Sequence, residues 1–175
     1  MTHRFFIGYL ATAVLFISGC SSQAQNLTGP LADVSPPNEL RFIKTDGATS
    51  QCIGDPKTPL CAVETFKACF ARNEMELCRK VGVDDPNLFL GPKQNVSYSV
   101  LEQRILTDAD MTEELKNADW WKVGYVDITT IEFFPDIPEL KGGQKYSYSV
   151  KPAGNEWHIA SWAAWGAQFT GNLNE

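Results

Sequence analysis

Histidine is nearly absent from this 175-residue chain, which holds only His3 and His158. None of its five cysteines forms a CxxC pair. Structural zinc sites are built from clustered Cys and His ligands, so no metal centre is expected. Positive charge is also scarce: 15 Lys and Arg stand against 21 Asp and Glu, a net charge of −6. No basic cluster interrupts that balance. Such a surface repels nucleic-acid phosphates and anionic lipid headgroups, and nucleic acid is not an expected partner. A Walker-type loop, a Ser-His-Asp set and a paired-carboxylate spacing are all lacking, and Gly142-Gly143 reads as a turn. No cofactor is expected. There is no internal repeat. The one long apolar run, Phe5 to Ile17, has 13 residues, whereas a membrane-crossing helix needs roughly 20.

That run has the length of a signal-peptide core, and Met1 to Arg4 supplies the charged start. Residues 1–19 therefore read as a cleaved signal peptide. At its end, Ile17-Ser18-Gly19-Cys20 resembles the lipobox of bacterial lipoproteins: a branched aliphatic, two small residues, then cysteine. The resemblance implies cleavage after Gly19, diacylglycerol on the Cys20 sulfur and an acylated amino terminus. Each buried methylene contributes about 0.8 kcal/mol, so one acyl chain holds marginally and two or more hold stably. Ser21 stands where lipoproteins retained at an inner membrane often carry Asp, which points to an outer membrane, with the chain facing the periplasm. Cleavage removes Arg4, leaving 14 basic and 21 acidic side chains and a net charge of −7.

Residues 20–38 read as a lipidated tether, polar and ending near Pro36-Pro37. Such composition does not offset its own ordering entropy. Residues 39–171 read as one domain and 172–175 as a tail. The chain is 43% hydrophobic and 11% aromatic, enough to build a core.

The clearest helix runs from Pro59 towards Arg72. Thr58 suits the N-cap and Pro59 the first helical position. Leu60, Val63, Phe66 and Phe70 recur at helical spacing. Asn73-Glu74 interrupts, and Met75 to Val81 suggests a short second helix closed by Gly82. This arrangement pairs the cysteines. Cys61 and Cys69 lie eight residues apart on one helix, roughly 12 Å along its axis. That is beyond the roughly 7 Å limit for bridged alpha carbons. A helical hairpin turning at residues 73 and 74 brings Cys69 opposite Cys78, which leaves Cys52 for Cys61. The pairing 52–69 with 61–78 demands a longer reach on both sides.

Residues 111–121 look like a further short helix capped by Thr112. Val96 to Leu106, Gly124 to Phe134, Lys145 to Val150 and Glu156 to Trp165 read as strands, rich in β-branched and aromatic residues. A four-residue loop at 152–155 would set Lys151 opposite Glu156, Val150 opposite Trp157, Tyr148 opposite Ile159 and Tyr146 opposite Ser161. One face would then hold Tyr146, Tyr148, Val150, Trp157 and Ile159. The other would hold Ser147, Ser149, His158, Ala160 and Trp162.

The helix pair of Pro59 to Val83, followed by strands ending in Val150-Lys151-Pro152-Ala153-Gly154-Asn155-Glu156-Trp157-His158-Ile159-Ala160-Ser161-Trp162, is similar to the NTF2-like (cystatin-like) α+β superfamily. The resemblance implies a cone: helices on the concave side of a curved, mostly antiparallel sheet of about four strands, with a pocket at the wide end. Enzymes of that superfamily place an Asp or His inside the cone as proton carrier. The candidates here are Asp127 and His158: Asp127 shares one strand face with Tyr125, Thr129, Ile131 and Phe133 and would be the base if that face is concave, while His158 belongs to the hairpin face expected to be convex. A cleft would gather Tyr125, Asp127, Tyr148 and Trp157. A partner surface, for an envelope protein or a homodimer, would gather His158, Trp162 and Trp165. The expected function is a lipid-anchored, non-catalytic, protein-binding or assembly subunit of the cell envelope. A carrier of a small apolar ligand and an isomerase- or dehydratase-like enzyme using Asp127 are the alternatives.

Overall fold

The computed structural model describes residues 39–46, 52–85, 87, 88, 90–140 and 142–165. The leader, Cys20, the tether and the C-terminal tail lie outside the described residues. The fold is α+β. Strand β1 (Arg41–Ile43) precedes helices α1 (Pro59–Arg72) and α2 (Met75–Lys80). Strands β2 (Val96–Ile105), β3 (Val126–Phe133), β4 (Gln144–Ala153) and β5 (Glu156–Trp165) follow. All neighbours are antiparallel, and the sheet order is β1-β2-β3-β4-β5. The fifth strand is β1, three residues long and too short to announce itself by alternation.

Helix α1 begins as its sequence requires. The Thr58 hydroxyl accepts the Cys61 N–H at 3.2 Å, and Pro59 occupies the first turn. It ends at Asn73, in the left-handed region with φ 55°. Every residue of α1 except Phe70 is buried. One side of the helix lies against the sheet. On other sides, α2 is joined to it by the Cys69–Cys78 disulfide, and the segment before β2 bonds it through Gln94 N–H to the Ala71 carbonyl. Both expected disulfides are present, Cys52–Cys61 with alpha carbons 4.8 Å apart and Cys69–Cys78 with 5.3 Å. Thr65 secures the Cys52 loop, accepting the Gly54 N–H and donating to the Cys52 carbonyl.

Two sequence expectations fail here. Residues 111–121 form no α-helix: the region holds single 3-10 turns at Asp108–Asp110 and Leu115–Asn117. Thr112 does accept the Leu115 N–H, but neither turn buries a residue, so no apolar face holds a longer helix in place. The β4–β5 register also differs. Ala153 pairs with Glu156, Lys151 with His158 and Val150 with Ile159. The loop is only Gly154-Asn155, with Gly154 at φ 66°, which suits a two-residue hairpin with glycine first. A shift of two residues preserves the alternation, which is why pattern alone does not detect it.

The second half of β5 departs further. A bulge leaves Ala160 without a partner, so Ser149 pairs with Ser161 and Tyr148 with Trp162. One extra residue exchanges the faces beyond it. Trp162 and Ala164 therefore point towards the helices, while Ala163 and Trp165 point away.

Candidate functional site

The helix-facing side of the sheet is built by register. Arg41, Tyr98, Glu132 and Gln144 form one row, followed by Val100, Thr130, Tyr146 and Ala164, then by Ile128, Tyr148 and Trp162. Helix α1 lays Glu64 and Lys67 onto these rows. Both charges sit on the stripe begun by Leu60 and Val63, at core positions.

Lys67 is buried and its ammonium donates to three acceptors: Glu132, the Tyr148 hydroxyl at 2.8 Å and the Thr130 hydroxyl at 3.2 Å. Those two hydroxyls in turn donate to Glu132, from 2.6 Å and 2.9 Å respectively. An ammonium has three donors, so Lys67 is saturated and the cluster is closed on itself. The Tyr148 and Tyr98 rings flank the ammonium, with centroids at 4.3 Å and 4.9 Å. Burial holds the Lys67 ammonium well below the usual lysine range, with the Glu64 charge acting the other way. Burial likewise pushes the Tyr148 phenol well above its ordinary value, reinforced by Tyr146 and Tyr98. Beside this cluster lies a second one, in which Arg41 and the Tyr98 hydroxyl both bind Glu64. A lysine so fully committed is not offered to a substrate.

The Lys67–Glu132 cluster floors a cavity of about 130 Å³. Its walls are Phe66, Phe70, Phe134, Tyr146, Tyr148 and Trp162. Trp162 stands at the rim, 42% exposed. Beside it runs the outer edge of β5. The first half of that edge is occupied, by Trp157 N–H bonding the Pro56 carbonyl and Ile159 N–H bonding the Val81 carbonyl. Beyond Ile159, no further backbone bond reaches this edge among the described residues.

The residues singled out from sequence are dispersed. Tyr148 lines the cavity. Asp127 and Tyr125 lie on the opposite face, since Asp127 pairs with Arg104 and Ser149 while Ile128 pairs with Tyr148. There Asp127 accepts from the Ser147 hydroxyl at 2.9 Å, with Arg104 at 3.6 Å. Burial raises its carboxyl above the usual value, opposed by Ser147 and Arg104. Trp157 packs on the core at the other end of β5. His158, Trp162 and Trp165 do not form one surface: the bulge sends Trp162 and Trp165 to opposite faces, and His158 lies against Gly82.

Sequence reasoning missed Glu64, Lys67, Tyr98 and Glu132. Their signal was charge at apolar positions. Glu64 and Lys67 sit in the phase of Leu60 and Val63, and Glu132 in that of Val126, Ile128 and Thr130. Comparison with protein-family models, curated proteins and solved structures finds no match to this chain.

Proposed function

We propose that the chain is a lipid-anchored cell-envelope protein, held through acyl chains on Cys20, whose domain is a non-catalytic module that binds one extended segment of another envelope protein. The segment adds as a strand to the outer edge of β5 at residues 160–165 and seats one apolar side chain beside Trp162. The accompanying fold reading is the NTF2-like cone; a helix laid across a five-stranded antiparallel meander supports it.

The observation that carries this reading is the size and floor of the cavity next to a strand edge that no described residue bonds beyond Ile159. Small-molecule sites usually measure roughly 300–1,000 Å³. About 130 Å³ over a closed ion-pair cluster suits a single side chain, not a carried ligand. Natural sheet edges are commonly guarded by charge, proline or cover. Residues 160–165, Ala-Ser-Trp-Ala-Ala-Trp, carry neither charge nor proline. Strand addition takes its affinity from main-chain bonds and its specificity from such pockets. An enzyme using Asp127 gains no support, because that carboxylate faces away from the cavity.

The test is a photo-reactive side chain at position 164 of the full lipidated protein in cells. A discrete heterologous adduct that Trp162→Ala abolishes is the expected result. No adduct, or one that survives Trp162→Ala, rejects the site; an adduct of twice the chain mass assigns the edge to a second copy instead. Separately, Cys20→Ser is expected to move the protein from the membrane to the soluble fraction. Continued membrane association rejects the anchor.

A further inference from the structure

We infer that the sheet face turned away from the helices is a bilayer-contact face, on which Phe42 and Trp165 rest in the lipid interface. This rests on the reading of Cys20 as the lipid anchor. Directly opposed residues share a face. Phe42, Ser97 and Phe133 therefore form one row of it, and Ile131, Lys145 and Trp165 the next. Phe42 is 55% exposed and Trp165 60%. They stand on the two outermost strands, four strand spacings apart, on the same face of the sheet. Ile131 and Phe133 are half-buried between them. Gly143 lies close to both side chains: a Cβ there would be 2.8 Å from the Phe133 ring and 3.1 Å from Ile131.

The result is a strip with bulky exposed groups at both margins and an exposed lysine between. Such groups suit the lipid interface. Tryptophan is enriched at such interfaces, and Lys145 can lay its stem on the apolar strip while its ammonium stays in water. A second copy of the chain fits less well. Phe42 and Trp165 together offer on the order of 300 Å², against about 800 Å² per partner in a stable interface.

The position of the anchor supplies the remaining argument. Residues 21–38 join Cys20 to the described chain, and 18 residues reach at most about 60–65 Å whatever their conformation. The chain then enters the sheet through Leu40, 46% exposed, and Phe42. The first described strand is thus a margin of the strip. A surface tethered to an acylated residue needs no strong affinity of its own. The other end of the same face is occupied by the β2–β3 connection, where Ser149 donates to the Trp120 carbonyl, so contact is confined to the Phe42 and Trp165 end. The acidic surplus of the chain favours zwitterionic over anionic headgroups.

The lipidated protein in phosphatidylcholine vesicles, brominated at the headgroup end of the acyl chains, tests this by flotation and tryptophan quenching. The protein is expected to float, with part of its fluorescence quenched. That quenching is lost in Trp165→Phe and weakened in Phe42→Ser, while both variants still float. Flotation without quenching, or quenching unchanged in Trp165→Phe, overturns the contact face and leaves the anchor standing. Failure to float overturns the anchor and this inference with it.

Discussion

The Trp162 indole packs against the Phe66 ring, centroids 4.7 Å apart and planes tilted by 58°. This contact joins the far half of β5 to α1 and sets the rim of the cavity. It exists only because the bulge at Ala160 turns Trp162 towards the helix. Regular alternation would have placed the indole on the opposite face.

The Lys67–Glu132 pair is a structural commitment inside the core. Lys67→Met leaves Glu132 buried without its cation, which costs about 3–5 kcal/mol. Lys67→Met combined with Glu132→Leu is expected to recover part of that loss. Urea denaturation of the two single variants and the double variant measures the coupling. Additive losses would show that the pair is not energetically linked.

Cys69–Cys78 holds α2 against α1, and both sulfurs are fully buried. Replacing both cysteines by alanine is expected to lower stability by about 2–4 kcal/mol. Thermal melts under non-reducing conditions read this directly. Peptide mapping should return the 52–61 and 69–78 bridges and no 61–69 bridge.

Gly82 lies at φ 76°, and a Cβ there would meet the His158 ring at 2.6 Å. Gly82→Ala is therefore expected to cost about 1–3 kcal/mol, from left-handed strain plus the displaced imidazole. His158→Ala in the same chain removes the collision but not the strain, so only part of the loss returns. Full restoration would mean that backbone conformation contributes nothing.

Asp127 has its carboxyl raised by burial. A group that binds its proton more tightly when folded stabilises the native state at low pH, and that contribution is lost as pH rises through the folded value. The stability of wild type relative to Asp127→Asn is therefore expected to increase as pH falls towards the usual carboxyl value of 3.8. Paired denaturation curves from neutral pH down to that value check the sign. A difference independent of pH would place the titration elsewhere.

Much of the local architecture is decided by short-range chemistry. Thr58-Pro59 starts α1, and Asn73 and Gly82 stop the two helices. Eight residues of helix forbid a 61–69 bridge, and the hairpin turn at residues 73 and 74 favours 52–61 with 69–78 over the longer-reaching alternative. The strands of the second half are likewise written in their β-branched and aromatic residues. The address expected at Cys20 is also a matter of sequence alone, since a lipobox is a linear motif.

Tertiary structure decided the rest, for two physical reasons. The first is that strand periodicity is two, so it is blind to a shift of two residues and cannot announce a single-residue bulge. The hairpin register and the separation of Trp162 from Trp165 were settled only by the Gly154 turn and the packing of Trp162 on Phe66. The second is that a charge on a helix is normally read as a solvated one. Glu64 and Lys67 became core residues because Arg41, Tyr98, Thr130, Glu132 and Tyr148, distant in sequence, arrive on facing strands to satisfy them, and no local pattern records a partner contributed by another strand.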